Sequence, residues 1–126
     1  MNNKWIRWMV VGLVVALALS ACGGGGGSTG PEPLDVTLKA DNTFAYDVTT
    51  LNAKVGQTVN VTLENSGALE HTFLIDELSV NSGTVAGGQS GTVTFTPSTA
   101  GTYTYYCNVP GHKEGGMVGT LTVTEP

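Results

Sequence analysis

The sequence has few basic residues. Five lysines and arginines face ten aspartates and glutamates among 126 residues, and the formal net charge is −5 at pH 7. Nucleic-acid binding requires a basic surface, so this balance argues against a nucleic-acid partner. An acidic surface is compatible with a basic protein partner, but acidity also simply keeps proteins soluble.

Histidine and cysteine are also scarce, with two residues of each. A chain with two histidines has none to spare for a second histidine-rich metal site. A long apolar stretch is missing as well: the apolar run from Trp8 to Ala21 is shorter than the about 20 residues that a membrane-spanning helix needs. These shortages argue against a second histidine-rich metal site and against a spanning helix.

The N-terminal residues are typical of a secretory signal. Lys4 and Arg7 precede the apolar run, and small residues end it, which is the layout of a signal peptide over residues 1–21. The sequence Leu19-Ser20-Ala21-Cys22 resembles the bacterial lipoprotein signal, in which the cysteine is acylated and becomes the first residue. A plain signal peptide, or a short membrane anchor with an incidental cysteine, remains an alternative.

Residues 22–33 are predicted to be a flexible tether. A run of glycines cannot form a core, and Pro31 and Pro33 stiffen its end. An acylated Cys22 would hold an exported protein at the membrane of the bacterial cell envelope, with the domain on the periplasmic or extracytoplasmic side. Cys22 would then be unable to pair with Cys107, and a free thiol in an oxidising compartment is a liability unless a metal occupies it.

Residues 34–126 are predicted to form one all-β domain. Apolar and polar residues alternate in short runs that Gly, Asn, Asp and Pro interrupt, and about seven or eight strands at this spacing indicate a β-sandwich or barrel. The predicted strands are Val36–Ala40, Leu51–Val55, Val59–Glu64, His71–Ile75, Thr92–Thr96, Thr102–Cys107 and Val118–Thr124, with a similar alternation over Phe44–Val48 and a loop or short strand within Leu78–Gly88. The expected core residues are Val59, Val61, Leu63, Phe73, Ile75, Val93, Phe95 and Val123.

A loop between the last two predicted strands carries three potential metal ligands. Cys107, His112 and Met117 follow one another with four residues in each gap, and Val109-Pro110-Gly111 predicts a turn that folds the chain back over the strand end. Each residue has an ordinary interpretation by itself: Cys107 and Met117 as core residues, His112 as a surface histidine. Together on one short loop they favour a metal site.

The fourth candidate ligand is His71, early in a predicted strand. Phe73 and Ile75 share its parity, so its ring is expected to face inward, where an unpaired imidazole is costly. A core histidine that hydrogen-bonds to backbone is the alternative. Thiolate, two imidazoles and a weak thioether make up the ligand set of blue copper sites.

This arrangement of residues resembles the cupredoxins, the small blue copper proteins, and Tyr106-Cys107-Asn108-Val109-Pro110-Gly111-His112 is particularly similar to plastocyanin-like and auracyanin-like members. The resemblance covers the whole domain and implies an eight-stranded Greek-key sandwich. It also implies one copper ion held by His71, Cys107, His112 and Met117. Many members have asparagine after the first histidine; here Thr72 stands there and Asn108 follows Cys107, so we expect these two side chains to link the ligand loops.

The ligand count excludes several functions. A multicopper oxidase or copper nitrite reductase needs more histidines, and a binuclear purple copper centre needs two cysteines at one site. Catalytic zinc commonly leaves a coordination position open, and a Cys-His protease gives Met117 no role. We therefore expect no enzyme but a membrane-tethered electron carrier that cycles between Cu(I) and Cu(II). A copper storage or delivery lipoprotein, and a structural β-sandwich lipoprotein without metal, are the alternatives.

Partner recognition is expected near His112, on its loop. A small apolar patch around it suits a weak, fast redox encounter, of less than about 1,200 Å². The residues predicted to form this patch are Gly67, Ala68, Leu69, Val109, Pro110 and Gly111. Family analogy suggests a quinol-oxidising complex as electron donor, and a cytochrome, terminal oxidase or photosynthetic reaction centre as acceptor.

Overall fold

The computed structural model describes residues 30–126. The predicted signal peptide, Cys22 and most of the predicted tether lie outside the described residues. Within residues 30–126, no helix has the length and apolar character needed to cross a membrane. The end of the predicted tether contacts the domain, because Gln57 Nε2 donates a hydrogen bond to the carbonyl of Glu32 at 2.7 Å.

In the part of the chain that the structure describes, eight strands form two sheets, which confirms the predicted all-β sandwich. One sheet has three strands in the order β1-β3-β6, and the other has five in the order β2-β8-β7-β4-β5. The strands are β1 (Leu34–Ala40), β2 (Thr50–Lys54), β3 (Val59–Asn65), β4 (Leu74–Ile75), β5 (Val80–Asn81), β6 (Ser90–Phe95), β7 (Gly101–Tyr106) and β8 (Val118–Thr124), with a 3₁₀ turn at Asp76–Leu78.

Both parallel and antiparallel pairs hold the sheets together. β1 runs parallel to β3, with Val36 opposite Val61, and β2 runs parallel to β8. β7 and β8 pair antiparallel, with Tyr106 opposite Val118. Because β7 and β8 are antiparallel neighbours, the loop that joins them starts and ends at the same end of the sandwich. Cys107 and Met117 are therefore held side by side.

The predicted core is correct for six of the eight residues named. Val59, Val61, Leu63, Phe73, Ile75 and Val123 are buried. Val93 and Phe95 were also expected in the core, but they are only partly buried and pack against it. Both lie on β6, which is an edge strand of the three-stranded sheet, and an edge strand is covered on one side only.

Two tyrosines that the sequence analysis did not assign to the core lie in it. Tyr46 and Tyr105 are 3% and 0% exposed, and their ring centroids lie 5.6 Å apart with the ring planes tilted by 54°. The hydroxyl of Tyr46 donates to the carbonyl of Thr72, and that of Tyr105 donates to the carbonyl of Val48 at 2.7 Å. A tyrosine can be buried in this way because its polar end finds a backbone acceptor.

The predicted strand His71–Ile75 is shorter than expected. Only Leu74–Ile75 is a strand, and His71 forms an isolated bridge with Val85. The intervening backbone bonds to side chains instead: the N–H of Thr72 donates to the Cys107 sulfur at 3.4 Å, and that of Phe73 donates to Ser82 Oγ at 2.9 Å. The alternating residues 44–48 also form no strand.

Candidate metal centre

The loop after β7 is closed by its own backbone. The N–H of His112 donates to the carbonyl of Val109, and the N–H of Met117 donates to the carbonyl of His112, each at 3.0 Å. The N–H of Cys107 donates to the carbonyl of Met117 at 3.1 Å. Gly111 and Gly116 have φ angles of 85° and 112°, a region that favours glycine. The local sequence thus folds the three loop candidates against one another.

The structure brings His71 to this loop. The candidate ligand atoms of His71, Cys107 and His112 all lie within 4.8 Å of one another, and Cys107 Sγ is 3.5 Å from His112 Nδ1. His71, Cys107 and Met117 are fully buried, and His112 is 5% exposed. Residues from two distant parts of the chain therefore share one buried site.

The hydrogen bonding of His71 leaves one ring nitrogen available. Its Nε2 lies 2.6 Å from the carbonyl oxygen of Asp41, so Nε2 carries the proton and donates it to this acceptor. Its Nδ1 is buried and has no hydrogen-bond partner among residues 30–126. An orphaned buried imidazole nitrogen is costly, and a metal ion is the partner that would satisfy it. The donor set of the site, one thiol, two imidazoles and a thioether, fits copper.

Thr72 and Asn108 form a bridge beside the sulfur. The Thr72 hydroxyl donates to Asn108 Oδ1 and accepts from the Asn108 N–H, each at 2.9 Å. The same hydroxyl lies 3.5 Å from Cys107 Sγ, and the Thr72 N–H donates to that sulfur at 3.4 Å. The segment after His71 and the start of the Cys107 loop are therefore bonded to each other directly.

His112 is enclosed by two rings. The Phe44 ring stacks on it with centroids 4.5 Å apart and an interplanar angle of 27°, and the His71 ring lies 5.0 Å away. Burial, followed by the charge of His71, lowers the pKa of His112, and Glu70 opposes that shift. A lowered pKa favours the neutral imidazole, which is the form that binds metals.

Sequence reasoning missed the segment Asp41–Phe44, which touches both histidines. The Thr43 hydroxyl and, to a smaller extent, the Thr43 N–H donate hydrogen bonds to the Asp41 carboxylate. These bonds hold the pKa of Asp41 below its ordinary value. Asn42 Oδ1 accepts from the N–H of Ala68 at 2.7 Å. The Asp-x-Thr sequence indicated a turn capped by a side chain, but no local pattern predicted which distant side chains this turn would contact.

Comparison with known proteins places the chain in a family. A family model described as a cupredoxin-like domain matches residues 9–123, which is most of the chain. The chain belongs to the cupredoxin-like family. The resemblance seen in the sequence is thereby confirmed, and the two-sheet architecture agrees with it.

This cupredoxin has relatives of known kind. It is 30% identical to auracyanin-A of Chloroflexus aurantiacus, over 85% of this chain and 91% of that protein. It is 29% identical to the copper-resistant cuproprotein CopI of Rubrivivax gelatinosus, over 70% of this chain and 65% of that protein. The dithionite-reduced auracyanin of Roseiflexus castenholzii superposes with a TM-score of 0.66 at 27% identity, over 74% of this chain and 98% of that structure.

Proposed function

We propose that this cupredoxin is a type 1 (blue) copper protein that carries single electrons, with the metal held by His71, Cys107, His112 and Met117. The orphaned Nδ1 of His71, buried beside a cysteine and a second histidine, is the observation that supports this most strongly. Auracyanin relatives, one of them described as a "blue" copper protein, point to the same cofactor. The protein binds one copper ion.

The chain's own residues fix the geometry. Copper supplies a one-electron couple between Cu(I) and Cu(II) when bound. The Thr72 N–H donates to the Cys107 sulfur, which stabilises a thiolate and disfavours movement of that side chain. The Asp41 carbonyl sets the tautomer and orientation of His71. Because these bonds hold the side chains of His71 and Cys107 in one orientation, the site needs little rearrangement when an electron arrives or leaves.

Burial of the ligands favours electron transfer over other chemistry. We propose that the protein is not an enzyme, since the ligand side chains are at most 5% exposed and a metal bound by them would be shielded from a substrate. The same burial disfavours copper storage and delivery, which requires ready release of the metal. One relative is described as a copper-resistant cuproprotein, which is the reason to test storage and delivery. The rate of copper loss to a chelator is the measurement.

The test is an absorption titration with Cu(II). We expect one equivalent of copper to produce an intense visible band from the thiolate–copper bond, and Cys107→Ser to abolish it. Met117→Leu, which removes only the weak axial donor, should keep a blue band. A wild-type protein that stays colourless with copper, or a Cys107→Ser variant that remains blue, would contradict the proposal.

Redox partners are proposed to dock around His112. Of the predicted patch, Ala68, Leu69, Pro110 and Gly111 are exposed, whereas Gly67 and Val109 are half-buried. We expect Leu69→Glu to slow electron self-exchange between Cu(I) and Cu(II) molecules, because two like charges would then meet. Thr94→Glu, on the exposed face of β6, is the matched control. Equal rates in the two variants would place the contact elsewhere.

A membrane tether is proposed for the N-terminal residues. Residues 1–21 would be a lipoprotein signal peptide, Cys22 the acylated residue and 22–33 the linker to the domain at 34–126. Such an anchor would keep the carrier on the extracytoplasmic side, near membrane-bound partners such as a quinol-oxidising complex. Cys22→Ala should move the protein from the membrane fraction to a soluble or unprocessed form. Unchanged membrane retention would contradict acylation at this residue.

A further inference from the structure

Phe44 is an aromatic residue left on the surface beside a buried histidine. Within residues 30–126, Phe44 and Leu69 are the exposed large hydrophobic residues, each 41% exposed. The ring of Phe44 nevertheless lies nearly parallel to His112, with centroids 4.5 Å apart, whereas His112 is only 5% exposed. Exposing part of an apolar ring is unfavourable, so its position over the imidazole calls for a reason other than core packing.

Gly115 is shaped to receive this ring. A Cβ at Gly115 would clash with Phe44 Cδ2 and would lie 2.9 Å from Phe44 Cβ, so a side chain there would displace the phenyl group. The backbone of Gly115 does not need glycine, since it is absent from the positive-φ residues that include Gly111 and Gly116. Glycine at position 115 is therefore explained by the space that Phe44 occupies.

We propose that Phe44 is a positioning residue that tunes the metal centre through the face of His112. This inference rests on the proposed copper function and adds a determinant of its reduction potential. An aromatic face carries negative charge density, and it attracts a neighbouring group more strongly as that group becomes more positive. His112 bound to Cu(II) is more positive than His112 bound to Cu(I), so the Phe44 ring favours the oxidised state and lowers the potential.

The expected size follows from the strength of aromatic pairs. Losing the stack should change the ratio of Cu(II) to Cu(I) affinities by about two- to tenfold, which for one electron is a rise of roughly 20–60 mV. Simple loss of apolar cover acts in the other direction, because water that enters stabilises the more highly charged Cu(II). The sign of the shift thus separates the stacking effect from a packing effect.

The experiment measures the midpoint potential of the full chain, loaded with copper, by spectroelectrochemical titration of its visible band. Phe44→Leu keeps an apolar side chain and removes the ring, so its potential should rise. Phe44→Tyr retains the stack and should stay near the wild-type value. Leu69→Ala is the matched control, since Leu69 is equally exposed and makes no stack with a histidine; its potential should fall or stay unchanged.

A second route reaches the same contact from the opposite side. Gly115→Ala should push the ring away and raise the potential as Phe44→Leu does. The double variant Phe44→Leu/Gly115→Ala should then shift no further than Phe44→Leu alone, because both act on one contact. In the diamagnetic Cu(I) protein, the His112 ring protons should move downfield in both single variants as the ring current of Phe44 is lost.

The outcomes separate this inference from the proposed function. A colourless wild-type protein overturns both. A blue wild-type protein whose potential is unchanged or lowered in Phe44→Leu overturns the role of Phe44 and leaves the copper function standing. If Phe44→Leu does not fold, Gly115→Ala decides: a raised potential with lost ring-current shift supports the proposal, and an unchanged potential with that shift lost refutes it.

Discussion

The metal centre is built from two unlike regions. The Cys107–Met117 loop supplies three of the proposed ligands and closes on itself through backbone hydrogen bonds. The remote region, defined here as Asp41–Phe44 together with His71–Thr72, supplies one proposed ligand, fixes its ring, and contacts Cys107 and His112 on the loop. The types of ligand are therefore concentrated in one loop, while their orientation depends on pairs more than 25 residues apart in the chain, such as His71 with Asp41.

The largest expected effect tests whether the remote ligand matters as much as the loop. At free copper a thousandfold above Kd, binding should raise the free energy of unfolding by about 4 kcal/mol. His71→Leu should lose most of this gain, although all loop residues remain. Met117→Leu conserves the volume of the side chain and removes only a weak ligand, so this variant should keep most of the copper-induced gain in unfolding free energy. Urea unfolding with and without copper measures this gain in both variants. If His71→Leu kept the full gain, the loop residues alone would account for copper binding.

A second prediction separates the remote region from the rest of the domain. A Cβ at Gly67 would lie 2.5 Å from the Asp41 carbonyl carbon and 2.7 Å from the Asn42 nitrogen, both backbone atoms. Gly67→Ala should therefore cost about 1–3 kcal/mol in unfolding free energy and weaken copper binding, since Asp41 holds His71. Ala68→Ser, at the neighbouring exposed position, is the control for urea unfolding and copper titration. If Gly67→Ala had the stability and copper affinity of the wild type, the segment Asp41–Phe44 would be free to shift without affecting the site.

The third prediction concerns the core beneath both regions. Burial, followed by the charge of Asp47, raises the pKa of Tyr105 to about 12, against an unfolded value of about 10. The folded state thus retains the phenolic proton longer than the unfolded state. This contribution to stability is complete below pH 10 and is lost as pH rises toward 12.

Urea unfolding between pH 8 and pH 11.5 measures this loss. Tyr105→Phe has no phenol at this position, so its stability should fall less steeply above pH 10 than that of the wild type. Parallel curves for the two proteins would show that Tyr105 does not cause the alkaline loss.

The smallest expected effect tests the bridge between the two regions. Thr72→Val keeps the shape of the side chain but removes the hydroxyl that bonds both Asn108 Oδ1 and the Asn108 N–H. We expect a loss of about 1–2 kcal/mol in unfolding free energy, with a displaced absorption maximum of the copper protein. Thr94→Val, which breaks an exposed bond to Asn60, should cost less. Equal losses of unfolding free energy in Thr72→Val and Thr94→Val would show that the bridge stabilises the domain no more than an exposed hydrogen bond does.

Sequence reasoning was most successful where residues act close together along the chain. Alternation predicted most strands of the sandwich, and the spacing of Cys107, His112 and Met117 identified the loop, because turn residues between two paired strands leave few ways to fold. It was wrong about the length of the strand at His71, since the backbone of Thr72 and Phe73 is bonded to side chains from other parts of the chain. It missed Tyr46 and Tyr105 because their burial depends on distant carbonyl groups.

The amino-acid sequence alone determined the class of fold, the set of candidate ligands and the family, since these depend on periodicity, residue type and spacing. Only the tertiary structure decided that the Asp41 carbonyl takes one nitrogen of His71 and leaves the other without a partner, and that Phe44 covers His112. Such contacts join residues far apart in the chain. Their formation depends on how two sheets pack, which no local pattern specifies.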